Sequence, residues 1–259
     1  MCIVAIAWQL FDNLPLVLLS NRDEFFQRPT QQTQQWTDMP IFAGRDQQSH
    51  GTWLGYQQLA DGRQNGRWAT VLNFRDGIPA TPEQRSRGEL VTEFLNSSLS
   101  PIAFARQLNL QDYAGFNLIV GDEKQAVVVN NRGYPPTPLF AGLHVFSNGQ
   151  PESEWFKCER LRGRVRQEVL PLIAEDSQVD YWKDASFDVL SDTQQAPDGQ
   201  LPSTGIAPEI EQALSSVFIQ PFVMPNNSHY GTRTQSILYM QSLQEFVKLA
   251  LITNELTEK

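Results

Sequence analysis

Cys2 is the residue whose type and position point most directly to chemistry. Removal of Met1 would leave a cysteine with a free α-amine, a group that titrates at about pH 8 and can act as a base at neutral pH. Nucleophile and base would then sit on one residue. A plainer account makes Cys2 a small apolar side chain opening a buried strand, because a reactive thiol needs an electropositive setting. The segment Asn21-Arg22-Asp23-Glu24 supplies the charges. Arg22 would favour a thiolate electrostatically, and Asp23 suits an α-ammonium. Ser20 with Asp23 also fits the capping-box spacing of a helix start. That alternative accounts for Asp23 and Glu24 but gives no reason for Arg22, whose charge is disfavoured near a helix N-terminus.

Other chemistries lack their motifs. The chain has no P-loop, no dinucleotide glycine fingerprint, no His-Glu-x-x-His and no Cys-x-x-Cys. His50, His144 and His229 are far apart in sequence, so a metal site or triad would require long-range assembly, and no metal is expected. Asn73 and Asn148 sit where a strand end and an Asn-Gly turn would place them, and Arg233 where a hairpin turn would. The run Gly51-Thr52-Trp53-Leu54-Gly55 reads either as a pocket wall or as a tight turn leading to a core tryptophan.

The elements that must position these residues follow from hydrophobic period. Residues 3–8 and 16–19 form a hairpin around Asp12, Asn13 and Pro15. The Gln-rich stretch 29–40 reads as irregular surface. Residues 52–56 pair with 68–72 across a Gly/Asp turn. Helical spacing covers 83–95, with Leu90, Val91, Phe94 and Leu95 on one face, and 101–108, with Pro101 in the first turn. Strands return at 116–120, 126–129 and 143–146. Residues 152–170 form the longest predicted helix, ending near Pro171. The polar stretch 176–205 holds a short helix around 187–190, and 209–214 is helical. Residues 234–240 and 246–252 close the chain as strands. The pattern is α+β, with antiparallel sheets covered by helices, and no linker or internal repeat divides 1–259.

Composition bounds the function. The 259 residues carry 41% hydrophobic and 19% charged residues, enough to build a sizeable core. The formal net charge of -9 and the lack of a Lys/Arg run argue against nucleic acid. Arg160, Arg162, Arg164 and Arg166 alternate with other residues beside Glu159 and Glu168, which reads as a solvated helix face. Two cysteines suggest no disulfide framework and fit a reducing compartment. No apolar run is long enough to cross a bilayer, and no basic segment precedes the first apolar stretch. A cytoplasmic location with no stable membrane insertion is expected.

Several blocks together resemble one family. They are Met-Cys-Ile at the start, Asn21-Arg22-Asp23-Glu24, Arg28-Pro29, Ala43-Gly44-Arg45-Asp46 and Gly51-Thr52-Trp53-Leu54-Gly55. Arg87-Gly88-Glu89-Leu90, Gly115-Phe116-Asn117-Leu118, Ser147-Asn148 with Trp155 and Lys157, and Tyr230-Gly231-Thr232-Arg233 continue the series. Their order and near-complete span resemble the NRDE family, also called the transport and Golgi organization protein 2 family. The family is similar to N-terminal-nucleophile (Ntn) hydrolases of the penicillin acylase and bile-salt hydrolase branch. The resemblance implies a four-layer αββα sandwich with two antiparallel sheets. It implies Cys2 as nucleophile, Arg22 and Asp23 flanking it, Asn148 as a catalytic amide, Asn73 as an oxyanion donor and Arg233 as a late arginine. An oxyanion donor of this kind contributes roughly 3 kcal/mol to lowering a barrier.

Two functions are carried forward. One is a cysteine hydrolase of a non-peptide carbon–nitrogen amide in a small molecule, requiring no cofactor. The other is a haem-binding or haem-trafficking carrier, for which the family resemblance is the motive. No Cys-x-x-Cys-His attachment motif is present, and His229, His144, His50, Cys2 or Cys158 could serve as axial ligand. A scaffold that only supports other proteins is a third possibility, since fold does not settle function.

Overall fold

The computed structural model describes residues 2–244 and 246–257. Met1, on which the processing expectation rests, lies outside them. Strands β1 (Cys2–Phe11) and β2 (Leu14–Phe25) form the opening hairpin. β3 (Thr30–Gln35), β4 (Ile41–Asp46), β5 (Leu54–Gln57) and β6 (Trp68–Asn73) follow. Helices α1 (Arg87–Asn96) and α2 (Pro101–Gln107) lead to β7 (Phe116–Gly121), β8 (Ala126–Asn130), β9 (Thr137–Pro138) and β10 (Gly142–Phe146). Then come α3 (Phe156–Arg164), a π-turn over Val165–Val169, α4 (Leu170–Glu175), α5 (Val179–Leu190) and α6 (Pro208–Ala213). β11 (Phe222–Val223), β12 (His229–Ser242) and β13 (Val247–Glu255) complete the described chain.

The strands make two antiparallel sheets. One runs β10-β1-β2-β12-β11, with β13 also on β12, and the other runs β3 to β9 in sequence order. Side chains alternate across each strand, and β1 is apolar on both faces. Val4, Ile6 and Trp8 meet Leu54, Trp68 and Leu72 of the second sheet. Ile3, Ala5 and Ala7 pack with Leu161, Val165 and Trp182 of the α3–α5 region. The far face of the second sheet, including Val71, Leu118 and Val127, is covered by Leu90, Phe94 and Phe104 of α1 and α2. Capping fixes where these helices begin. Ser86 and Glu89 form a capping box at α1, and Ser100 caps α2 with Pro101 in its first turn.

The helix expected from residue 83 begins at Arg87 and the strand expected from 234 begins at His229, and the larger departures from the sequence reading are four. The stretch expected to be irregular contains β3, an edge strand whose pairing with β4 satisfies its backbone although glutamines fill it. The helix expected over 152–170 begins at Phe156 and continues past Pro171. The π-turn accommodates the missing proline N–H, with Leu170 N bonding to Val165 O. The polar stretch hides the twelve-residue α5, which buries Trp182, Ser186, Val189 and Leu190. The alternating arginines are not merely solvated. Arg160 meets Asp192 at 2.7 Å, and Arg164 meets Asp188 at 2.7 Å and Asp192 at 3.2 Å, tying α3 to the end of α5. No helix among the described residues is long and apolar enough to cross a membrane.

Candidate active site

Hairpin register brings the first candidate residues together. Cys2 at the start of β1 pairs with Arg22 of β2, and Asp23 pairs with Thr232 of β12. The two-residue period then sends neighbours to opposite faces. Asn21 turns to the helices, donating to Leu190 O and Val217 O at 2.8 Å each. Arg22 turns to the other sheet, 3.3 Å from Asp46 and with its guanidinium 4.3 Å from the Trp53 ring centroid.

Cys2, Arg22, Asp23 and Asn73 line one cleft of about 290 Å³, together with Glu24, Arg28, Asp46, Trp53, Arg87 and others. Gly51, Thr52 and Trp53 form part of its wall, as the sequence allowed. That wall depends on a glycine pair. A Cβ on Gly51 would lie 2.6 Å from the Gly88 carbonyl carbon, so both backbones must stay bare for the loop to reach the start of α1. The mouth is an ionic cluster: Arg28 is 2.5 Å from Asp46, and Arg22 is 3.7 Å from Glu24.

Burial dominates the titrations. It pushes the Cys2 thiol above its ordinary value. The Asp23 charge adds to that effect, while the Asp23 backbone amide and the Arg22 charge oppose it. Arg22 favours the thiolate, in the direction the sequence suggested, but burial outweighs it. Asp23 is raised to about 6, first by burial, against the support of Lys157 and of a hydrogen bond from Thr232 Oγ1 at 2.7 Å.

Asn148 sits behind the cleft rather than on its lining. It is fully buried, and its Nδ2 donates to Asn73 O at 2.8 Å. Ser147 Oγ lies 3.0 Å from Cys2 O and 3.1 Å from Asn148 Oδ1. The Ser147-Asn148 pair thus ties the Cys2 strand to the strand end that carries Asn73. The Asn73 side-chain amide has no hydrogen-bond partner among the described residues, which leaves its donors available to the cleft. Arg233 lies in the β12 bulge and donates to Phe25 O at 3.1 Å and Arg28 O at 2.6 Å, bracing the turn after β2 outside the cleft lining.

Three residues were missed as site components. Lys157 is buried and donates to Asn148 Oδ1 at 3.3 Å. Arg75 and Glu211 form a buried ion pair at 2.9 Å, and Arg75 N bonds Asn148 O at 2.7 Å. Lys157 stood in a quoted sequence block without a role, and nothing local marked the other two.

The sequence model of the family described as Transport and Golgi organisation 2 matches residues 1–249. The chain belongs to that family. The human Transport and Golgi organization protein 2 homolog is 30% identical over 251 residues, covering 88% of this chain and 82% of its own length. The mouse homolog is 29% identical over 250 residues with the same shares. A Saccharomyces cerevisiae protein described as uncharacterized is 27% identical over 288 residues, covering 92% of this chain and 87% of its own. The matched span includes each candidate site residue, from Cys2 to Arg233.

Proposed function

We propose that the chain is an N-terminal-nucleophile cysteine hydrolase of a non-peptide carbon–nitrogen amide, built on a four-layer αββα Ntn-type sandwich. The observation that carries this reading is the gathering of Cys2, Arg22, Asp23 and Asn73 around one cleft at the end of the first hairpin. Packing of helices on the outer face of each sheet agrees with the layer order.

In the proposed reaction, removal of Met1 frees the α-amine of Cys2, which takes the thiol proton. Sγ attacks the amide carbon, and the oxyanion of the tetrahedral intermediate is met by donors such as Asn73. Collapse breaks the C–N bond, and the amine leaves with the proton. Water then attacks the thioester, releasing a carboxylic acid and restoring the thiol. Asp23 orients the α-ammonium. The carrier reading, with haem as ligand, has less support, because Cys2 alone of the five candidate axial ligands is among the residues lining this cleft.

The test combines intact mass of native protein with turnover of small N-acyl p-nitroanilides. Expected are loss of Met1, an acyl mass on the acid-quenched intact protein that hydroxylamine removes, and no acyl mass or turnover in Cys2→Ala. Retention of Met1 on native protein would remove the proposed base and defeat the mechanism.

A further inference from the structure

Lys157 is 2% exposed. A buried ammonium is costly unless its donors and charge are compensated. Its hydrogen bond to Asn148 Oδ1 at 3.3 Å uses one of three donors. The start of α3 holds it in place. Trp155 precedes the helix and packs so tightly on the 147–150 turn that a Cβ on Gly149 would lie 2.6 Å from the indole. The charged and titratable groups facing Lys157 are Asp23 and Cys2 from the sheet, Arg75 beyond β6 and Cys158 on its own helix. Arg75 is in turn countered by Glu211 at 2.9 Å. Burial is the main reason the ammonium is lowered to about 8. Arg75 adds to that effect, and Asp23 and the two thiols oppose it.

Asn148 is therefore a hub. Lys157 donates to its carbonyl oxygen, its amide nitrogen donates to Asn73 O, and its chain neighbour Ser147 can donate to Cys2 O. We propose that Lys157 is a positioning residue of the Cys2 site: its buried ammonium fixes the Asn148 amide, and the Ser147-Asn148 pair in turn holds the backbones of Cys2 and Asn73. This rests on the reading of Cys2 as nucleophile.

The experiment measures iodoacetamide alkylation of Cys2 and Cys158 separately, by peptide mass across pH, in the full chain. Lys157→Met keeps a flexible stem and removes the charge, and Lys157→Arg keeps the charge. Lys157 fixes Asn148 and couples only weakly in charge to Cys2, so Cys2 labelling at neutral pH should slow about two- to threefold in Lys157→Met. The wild-type profile should flatten above about pH 8, where Lys157 loses its proton. That feature should vanish in Lys157→Met and persist in Lys157→Arg. Cys158, adjacent and 2% exposed, reports on the fold and should stay protected. An unchanged Cys2 profile in Lys157→Met overturns the proposal. So does equal exposure of Cys158, which would reduce Lys157 to a packing role.

Should Lys157→Met fail to fold, wild-type protein labelled at lysine Cε keeps the question decidable among the five lysines. Lys157 should titrate at about 8 and move lower in Asp23→Asn, whereas titration with the ordinary lysines would overturn the proposal. A Lys157-dependent Cys2 profile without any acyl-thioester would retire the hydrolase reading and uphold the role of Lys157.

Discussion

Replacing Asp23 with asparagine should stabilise the protein at neutral pH while removing a charge from the cleft. Asp23 is 1% exposed, and its Oδ1 accepts from Thr232 Oγ1 at 2.7 Å, a bond that an asparagine carbonyl can also accept. Burial lifts its carboxyl from an ordinary 3.8 to about 6. The folded chain therefore binds this proton more tightly than the unfolded chain. The associated stability is fully present below pH 3.8 and is lost as pH rises through about 6. The shift corresponds to a penalty of about 3 kcal/mol above that window. The α-ammonium and Lys157 both lose a carboxylate in the variant, which trims the gain. The assay is urea unfolding of wild type and Asp23→Asn at neutral and acid pH. Asp23→Asn should be more stable at neutral pH by about 1–3 kcal/mol, with the difference fading towards pH 4. A variant less stable at neutral pH, or a difference independent of pH, would refute the burial argument.

Two further perturbations probe the supports of the cleft. Gly51→Ala puts a Cβ 2.6 Å from the Gly88 carbonyl carbon, where backbone meets backbone. It should cost about 1–3 kcal/mol in denaturant unfolding and alter Cys2 labelling by shifting the start of α1. Glu211→Gln leaves Arg75 buried without its carboxylate partner. It should cost about 3–5 kcal/mol, while Glu209→Gln on the exposed side of the same helix stays within about 0.5 kcal/mol.

The strands that bury a face were legible because their apolar residues recur at the strand period. The β1–β2 and β5–β6 hairpins lie where that pattern put them. β3 was hidden because an edge strand can satisfy its backbone through one neighbour without burying a side, and its sequence is threonine and glutamine. α5 was shortened in the sequence reading because only one stripe of it faces the core, among acidic and polar residues. Pro171 read as a stop, since proline cannot donate to the helical ladder. The π-turn avoids that conflict by changing the ladder before the proline is reached.

The same distinction runs through the site. Cys2, Arg22 and Asp23 were legible because one hairpin register brings them together, whereas Asn148 reaches Asn73 across 75 residues and Thr232 reaches Asp23 across 209. No local pattern encodes such contacts, and a lysine at the start of a helix reads as solvent-facing until it is seen buried against Asn148. The sequence also assigned thiol activation to Arg22, the nearest cation along the chain. That guanidinium faces Asp46, Glu24 and the Trp53 ring, and burial outweighs its effect on Cys2. Under the hydrolase reading the cations divide between two tasks. Arg22 organises the ionic mouth of the cleft, the freed α-amine takes the thiol proton, and Lys157 fixes Asn148 behind it. An enzyme arranged this way depends on a residue that never touches its substrate, so Lys157→Met should impair Cys2 chemistry although every group lining the cleft is unchanged.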